Sequence, residues 1–265
     1  MRCVVACVAL LFSTGMASAA RAQQVQGLGK PLARDTLRKT TGVIDGAVTD
    51  TNLVPLAGSE VGMLRTSLKV HTGENGRFRI LGVPQGVYIL IVRRLGFRPV
   101  SAMVEVPPGD TLRLAYALER TPVGLDTVVI TEKRESVRMM EFDYRRKVGQ
   151  GEFITAADIE KRPSVMAADV LRLSKTIDVL PSYTKGSMAE YYAMSRRAGD
   201  AIHGGCPMQI FVDGVPMPSP FDLNLLPPPK EFAAIEIYAG AASVPPQFGG
   251  VDRRCGVILF WTKQG

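Results

Sequence analysis

The chain has 265 residues, of which 46% are apolar and 22% are charged, so its length and composition allow a packed core in one or two domains. Its formal net charge of +7 comes from basic residues that are spread along the chain in short pairs and triplets. Because these groups form no stripe interleaved with aromatic residues, they are typical of solvated surface, and we expect no nucleic-acid partner.

The first 22 residues have the form of a secretory signal peptide. Arg2 supplies positive charge, residues 4–12 are apolar, and Ala20-Arg21-Ala22 offers a small-x-small cleavage site. Their removal takes away two arginines and lowers the net charge from +7 to +5. No later stretch has about 18 uninterrupted apolar residues, so we expect an exported protein with no membrane-spanning segment in the mature chain.

Two cysteines, Cys206 and Cys255, follow the predicted cleavage site. An even pair in an exported protein predicts a disulfide. A metal site that adds His203 and Asp252 is the alternative, but no Cys-x-x-Cys pairing accompanies these residues. We therefore favour the disulfide and expect no metal ion and no cofactor.

The next part of the chain has a β pattern. Residues 23–40 are polar and basic without a period, and we interpret them as a linker. Residues 41–121 contain seven short stretches with strand character, separated by turns rich in Gly, Pro, Asn and Asp, which predicts a seven-strand β-sandwich. The predicted strands are residues 42–49, 59–64, 68–71, 77–81, 87–92, 100–106 and 111–118.

Three short motifs punctuate this predicted sandwich: Pro55-Leu56-Ala57-Gly58, Gly76-Arg77-Phe78 and Val83-Pro84-Gln85-Gly86-Val87-Tyr88. In this order they resemble the carboxypeptidase regulatory-like domain. The resemblance implies a transthyretin-like (prealbumin-like) sandwich with Phe78 and Tyr88 in its core. It implies no peptidase, because His71 is isolated and no His/Glu cluster could ligate a metal. Domains of this fold sometimes bind carbohydrate, so a glycan ligand stays open.

Residues 122–152 are interpreted as a hinge strand followed by a connecting helix over residues 137–148. The strand consists of Leu125, Asp126, Thr127, Val128, Val129, Ile130 and Thr131. It resembles a segment of SusC-like TonB-dependent outer-membrane receptors that lends a strand to the periplasmic protein TonB by β-augmentation. The alternative, which we favour, is that it forms the first strand of the next domain's sheet.

Residues 153–265 are predicted to form a small α+β domain. Thr155 and Asp158 have the spacing of a capping box, and Ser164 is the predicted N-cap of a second helix over residues 165–173. Residues 183–205 show no period and are predicted to be a loop. Three apolar, β-branched or aromatic runs predict buried strands over residues 208–212, 233–238 and 256–261.

The motifs of these runs resemble the plug domain of TonB-dependent receptors. The residues that carry the resemblance are Asp213 and Gly214 after the first run, Glu236 and Gly240 in and after the second, and Gly249 before the third. The chain departs from the family at Phe232-Ala233-Ala234 before Ile235-Glu236, where the first glutamate of the motif is replaced by Ala233, and in its cysteine pair. The resemblance implies association with the outer membrane or periplasm, and TonB or an outer-membrane β-barrel protein as a partner.

We therefore expect a non-catalytic binding or interaction module of TonB-receptor type, in nutrient uptake or signalling. No barrel sequence follows the plug-like part, so we expect no pore. No Gly-x-Ser-x-Gly, phosphate-loop or His-Glu-x-x-His motif predicts an enzyme. The alternative is a secreted carbohydrate-binding or adhesion protein with a disulfide-stapled plug-like scaffold. Residues 183–205 and 216–229 are candidate contact surfaces, or inert connections.

Overall fold

The computed structural model describes residues 41–121, 131–161, 163–182, 189–196, 205–249 and 253–263. The described chain is mainly β and forms a seven-strand sandwich followed by an α+β unit, which confirms the predicted fold class. The predicted signal peptide, the predicted linker and residues 125–130 of the predicted TonB-contacting strand lie outside these ranges.

All seven predicted strands of the first unit are present, and each boundary lies within three residues of the prediction. They form two sheets, ordered β4-β1-β7 and β3-β2-β5-β6. The strands are β1 (Thr41–Asp50), β2 (Glu60–Met63), β3 (Lys69–His71), β4 (Arg77–Pro84), β5 (Gly86–Arg93), β6 (Val100–Val106) and β7 (Thr111–Leu118).

Strict alternation along β1 produces the sandwich core. Ile44 and Val48 point inward and are fully buried, while Asp45 and Ala47 on the other face are half-buried. Gly46 lies on the same face, and a Cβ at this position would come within 2.5 Å of the Phe78 ring. The glycine therefore makes room for Phe78, as the resemblance implied. Tyr88 is only half-buried, and its hydroxyl donates to the Pro84 carbonyl at 3.1 Å.

The Tyr116 hydroxyl in β7 is buried and makes no hydrogen bond to any described residue. We expect Tyr116→Phe to raise the free energy of unfolding at pH 7 by about 1 kcal/mol, because a buried hydroxyl without a partner carries a desolvation cost. Burial also raises the pKa of Tyr116 from 10.0 to about 12. The free energy of unfolding of the native chain is therefore unaffected by this phenol below pH 10 and falls as the pH rises from 10 to 12, because the unfolded chain ionises first; the phenylalanine variant lacks this fall. Urea titrations of both chains at pH 7 and pH 11 measure the difference, and a destabilised variant at pH 7 would show that the hydroxyl has a partner.

The second unit contains three helices and eight strands among its described residues, together with short 3-10 turns. The helices are α1 (Thr131–Val148), α2 (Ala156–Glu160) and α3 (Ala167–Leu171). The strands are β8 (Glu152–Thr155), β9 (Ile177–Ser182), β10 (Glu190–Ser195), β11 (Cys206–Pro207), β12 (Gln209–Val212), β13 (Val215–Pro216), β14 (Phe232–Tyr238) and β15 (Val257–Thr262). They form a five-stranded sheet, β13-β12-β15-β14-β8, and a three-stranded sheet, β11-β10-β9.

The five-stranded sheet is covered on both faces, which explains why its strands are apolar at nearly every position. One face packs against α2, α3 and the sandwich strand β5. Ile89 and Ile91 of β5 point into this core, whereas Leu90 and Val92 point into the sandwich core. The Ser101 hydroxyl and the Arg65 guanidinium donate to backbone carbonyls of the second unit, at Pro216 and Asn224. The two units thus share a packed interface.

Several local predictions for the second unit need correction. Thr131 is the first residue of helix α1 and not part of a strand. The Thr155–Asp158 capping box is present, but Ser164 does not cap α3. That helix begins at Ala167, because the Asp169 carboxylate accepts hydrogen bonds from the backbone of residues 165 and 166. Strands β8 and β9 were not predicted, and β10 lies within the predicted loop 183–205.

The predicted disulfide joins Cys206 and Cys255, whose Cα atoms are 5.3 Å apart. It connects β11 of the small sheet to the turn that precedes β15 of the large sheet. Within the described ranges, no three His, Cys, Asp or Glu side chains are placed to hold a metal ion. No described helix is both long enough and apolar enough to cross a membrane.

Candidate functional site beside helix α1

Helix α1 packs along the face of the five-stranded sheet that lies opposite α2 and α3. Phe142 of this helix is buried, with 2% of the residue exposed. Its ring packs edge-to-face with that of Phe153, and the two ring centres are 5.8 Å apart. Phe153 in turn contacts the Tyr238 ring at 6.0 Å. The sequence predicted this helix only as a connector, but these contacts make it a layer of the second unit.

A buried ion pair fixes the helix to the sheet. Glu236 of β14 has no exposed surface, and Arg145 of α1 reaches it with two hydrogen bonds. Arg145 Nε donates to Glu236 Oε2 at 2.9 Å, and Nη2 donates to Oε1 at 2.7 Å. The Tyr238 hydroxyl and the Trp261 indole N–H also donate to this carboxylate, at 2.5 and 2.6 Å. Four donors thus satisfy one buried carboxylate, as burial of a charge requires.

The electrostatics of this cluster keep each group in the form that its hydrogen bonds need. Burial, and then the hydrogen bond to Glu236, raise the pKa of Tyr238 well above its usual value, so the phenol stays protonated. Burial disfavours the charged form of Arg145, but the bond to Glu236 outweighs it and raises the pKa of the guanidinium. The guanidinium also lies 5.8 Å from the Phe248 and Trp261 ring centres. Every polar group is paired, so this cluster positions α1.

The outer side of α1 carries an apolar stripe. Val137, Met140, Tyr144 and Val148 repeat at intervals of three or four residues and therefore share one face. Met140 and Tyr144 are 70% and 69% exposed, which is unusual for such large side chains on a helix that is otherwise packed.

A groove of about 520 Å³ runs between this stripe and the turn at residues 243–247. Pro245 and Pro246 form the opposite wall. The charged groups that line it are Glu141 and Arg145, which are hydrogen-bonded to each other at 3.2 Å. The groove is therefore apolar and close to neutral, a combination that suits an apolar segment of a protein partner.

This groove was not predicted from the sequence. The signal available was the cluster Met139, Met140, Phe142 and Tyr144 within an otherwise charged helix. Its members lie on opposite faces of the helix, since Phe142 is buried against the sheet whereas Met140 and Tyr144 are exposed. Sequence periodicity alone does not predict which of these two faces of the helix packs against the sheet.

The remaining plug-motif residues shape the turns of the sheet. Asp213 and Gly214, with φ of 50° and 77°, form the two-residue turn between β12 and β13. The Asp213 carboxylate also accepts from the Thr262 amide at 2.9 Å and hydroxyl at 2.8 Å. Gly240 has a φ of 127°, and the Gly249 amide donates to the Pro246 carbonyl at 3.0 Å. The motif residues therefore include one buried ion-pair partner, Glu236, and four turn residues.

Much of the predicted contact surface at residues 216–229 is buried. Met217, Phe221 and Leu223 are each less than 5% exposed and pack with the larger apolar cluster of the second unit. The described part of the other surface forms β10 of the small sheet. Residues 183–188 and 197–204 lie outside the described ranges.

Comparison with known proteins gives one family match. Residues 43–119 match the carboxypeptidase regulatory-like domain, which agrees with the resemblance seen in the sequence motifs. No curated protein matches the chain.

Solved structures give low-similarity matches to about a third of the chain. These include the Bacillus anthracis TIE protein (20% identity, 31% of this chain and 17% of that chain, TM-score 0.28). They also include the minor pilin GBS52 of Streptococcus agalactiae (18% identity, 34% and 49%, TM-score 0.29). A third is a type II cohesin–X-dockerin complex of Acetivibrio cellulolyticus (17% identity, 33% and 64%, TM-score 0.28). The matches span less than two thirds of each of these chains.

Proposed function

We propose that this chain is a non-catalytic binding module of the TonB-dependent-receptor type that acts in the bacterial cell envelope. Its partner would be a periplasmic protein of the TonB kind. The chain would engage this partner through the segment at residues 125–131 and through the groove beside helix α1.

The observation that carries this proposal is the apolar stripe on a helix that is locked in place. The ion pair between Arg145 and Glu236 removes the freedom of α1 to turn Met140 and Tyr144 inward. A stripe that is exposed and rigid costs little to order on binding, which is the arrangement that favours a protein partner.

Two further features support the receptor type. The runs that carry the plug resemblance form neighbouring strands of one sheet, β12, β15 and β14. Helix α1 begins at Thr131, the last residue of the segment that resembles a TonB-contacting strand. The segment and the helix that carries the groove are therefore adjacent in sequence.

Capture by the purified periplasmic domain of TonB tests the proposal. We expect the mature chain to be retained on an immobilised TonB domain. Val129→Pro should abolish retention, because proline removes a backbone donor that β-augmentation needs. Met140→Asp should weaken it by about tenfold or more, because it places a charge in an apolar contact.

Val165→Asp is the matched control. Val165 is also highly exposed, at 82%, but lies outside the groove, so this variant should be retained like the native chain. Equal retention of all four chains, or of none, would contradict the proposal. Binding of the mature chain to arrayed glycans without capture by TonB would favour the carbohydrate-binding alternative.

A further inference from the structure

A second groove lies between the two units and has a different chemistry. It has a volume of about 560 Å³ and is lined by β2, the turn after it and β5 of the sandwich, and by turns and the end of β15 of the second unit. It shares no lining residue with the groove beside α1. We propose that this interdomain groove binds a small, multiply charged organic anion, either a polycarboxylate or a phosphate ester.

Charge is the first argument. Five cationic side chains line the groove against three carboxylates; the cations are Arg65, Lys69, Arg93, Lys230 and Lys263. Two of the carboxylates have partners in the protein, since Asp213 accepts from Thr262 and Glu60 lies 3.9 Å from Lys69. Among the cations, Lys263 lies 3.5 Å from Glu160, outside the groove, whereas no carboxylate of the described residues pairs with Arg65 or Lys230. The groove therefore holds a net positive charge between low-dielectric walls, which concentrates anions.

Lys230 is the clearest ligand-facing group. It follows the buried Pro229 in a short 3-10 turn and is exposed at the rim. Among the described residues, none forms a hydrogen bond or ion pair with its ammonium group. Three donors are thus available to a bound anion.

Backbone conformation is the second argument. Arg65 has a φ of 64°, a left-handed conformation in which glycine or asparagine would be less strained. It is exposed in the turn after β2, and its guanidinium crosses to the Asn224 carbonyl of the second unit. Backbone strain of this kind is concentrated at functional sites, and here it holds the Arg65 side chain at the groove.

Position and size suggest the class of ligand. Grooves at domain interfaces are preferred sites for small molecules, and this volume matches a ligand of a few hundred daltons. The lining mixes hydroxyls of Thr66, Ser67 and Thr262 with apolar Met63 and Ile91. An organic anion with two or more charged groups could meet cations from both units at once.

Calorimetric titration of the mature chain with citrate and, separately, with pyrophosphate tests the inference. We expect saturable binding of at least one probe at constant ionic strength. Lys230→Glu should weaken it by about tenfold or more, and Lys230→Arg should largely preserve it. Binding of citrate alone would identify a carboxylate ligand and binding of pyrophosphate alone a phosphate ligand, and either result supports the inference.

Two variants separate binding from folding. Arg65→Gly should lose affinity with little change in the thermal unfolding midpoint, because relief of strain at this φ offsets the lost hydrogen bond to the Asn224 carbonyl. Arg113→Glu, on an exposed position of β7 outside the groove, makes the same charge change as Lys230→Glu and should leave affinity unaltered. Absence of binding to both probes, or equal affinity of the Lys230→Glu and native chains, would overturn the inference. Neither result bears on capture by TonB.

Discussion

Substitution of Glu236 by alanine is expected to lower the free energy of unfolding by about 3–5 kcal/mol. The change leaves the Arg145 guanidinium, which is only 10% exposed, without its buried counter-charge. It also removes the acceptor for the Tyr238 hydroxyl and the Trp261 indole, so that, with Nε and Nη2 of Arg145, four donors lose their partner. The loss therefore reflects uncompensated burial of polar groups more than the intrinsic strength of the ion pair.

Urea titration followed by tryptophan fluorescence measures this effect. Trp261 is the sole tryptophan of the chain and belongs to the cluster itself, so its emission reports the second unit. Glu141→Ala is the matched control, because Glu141 bonds the same arginine at 3.2 Å but is 55% exposed. That variant should cost about 1 kcal/mol or less. Equal losses for the two variants would contradict the role given to the buried pair.

The same variant also tests whether the ion pair holds helix α1, which forms one wall of the groove, against the sheet. Loss of Glu236 should release helix α1 from the sheet, which would be seen as faster amide hydrogen exchange over residues 131–148. Exchange in β1 of the sandwich should not change, because that strand has no contact with the cluster.

Removal of the disulfide is expected to have the second large effect. Cys206→Ser combined with Cys255→Ser should lower the free energy of unfolding by about 4 kcal/mol, the chain-entropy value for a loop of this size. The two cysteines are 49 residues apart in sequence, and their bond ties the small sheet to the entrance of β15. Without it, the unfolded chain gains freedom that the folded chain does not.

A reductant provides the measurement. Addition of a reducing agent to the native chain should lower the urea midpoint of the Trp261 fluorescence transition to that of the double serine variant. The variant itself should not respond to the reductant, which makes it the control. A midpoint of the native chain that does not shift on full reduction would refute the stabilising role of the disulfide.

Elements whose signals are local could be predicted from the sequence. Alternation along residues 42–49 predicts β1, since a strand places every second side chain on one face. The Thr155–Asp158 capping box spans four residues and forms as predicted. The disulfide was predictable because only two cysteines follow the predicted cleavage site, which leaves one pairing.

Contacts between groups that are far apart in sequence could not be predicted, because they depend on how the whole chain packs. Arg145 and Glu236 are 91 residues apart, and no local pattern marks a charged pair as buried. Alternation with the inward-facing Leu90 and Val92 puts Ile89 and Ile91 on the outer face of β5. They are nevertheless buried, because the second unit packs on them. Both candidate grooves lie between elements that the sequence predicts separately. One lies beside helix α1, and the other lies between the two units. The shape and charge of each groove depend on how these elements pack. Periodicity specifies which face of an element is apolar. Whether another element covers that face, and which one, depends on the free energy of the whole fold.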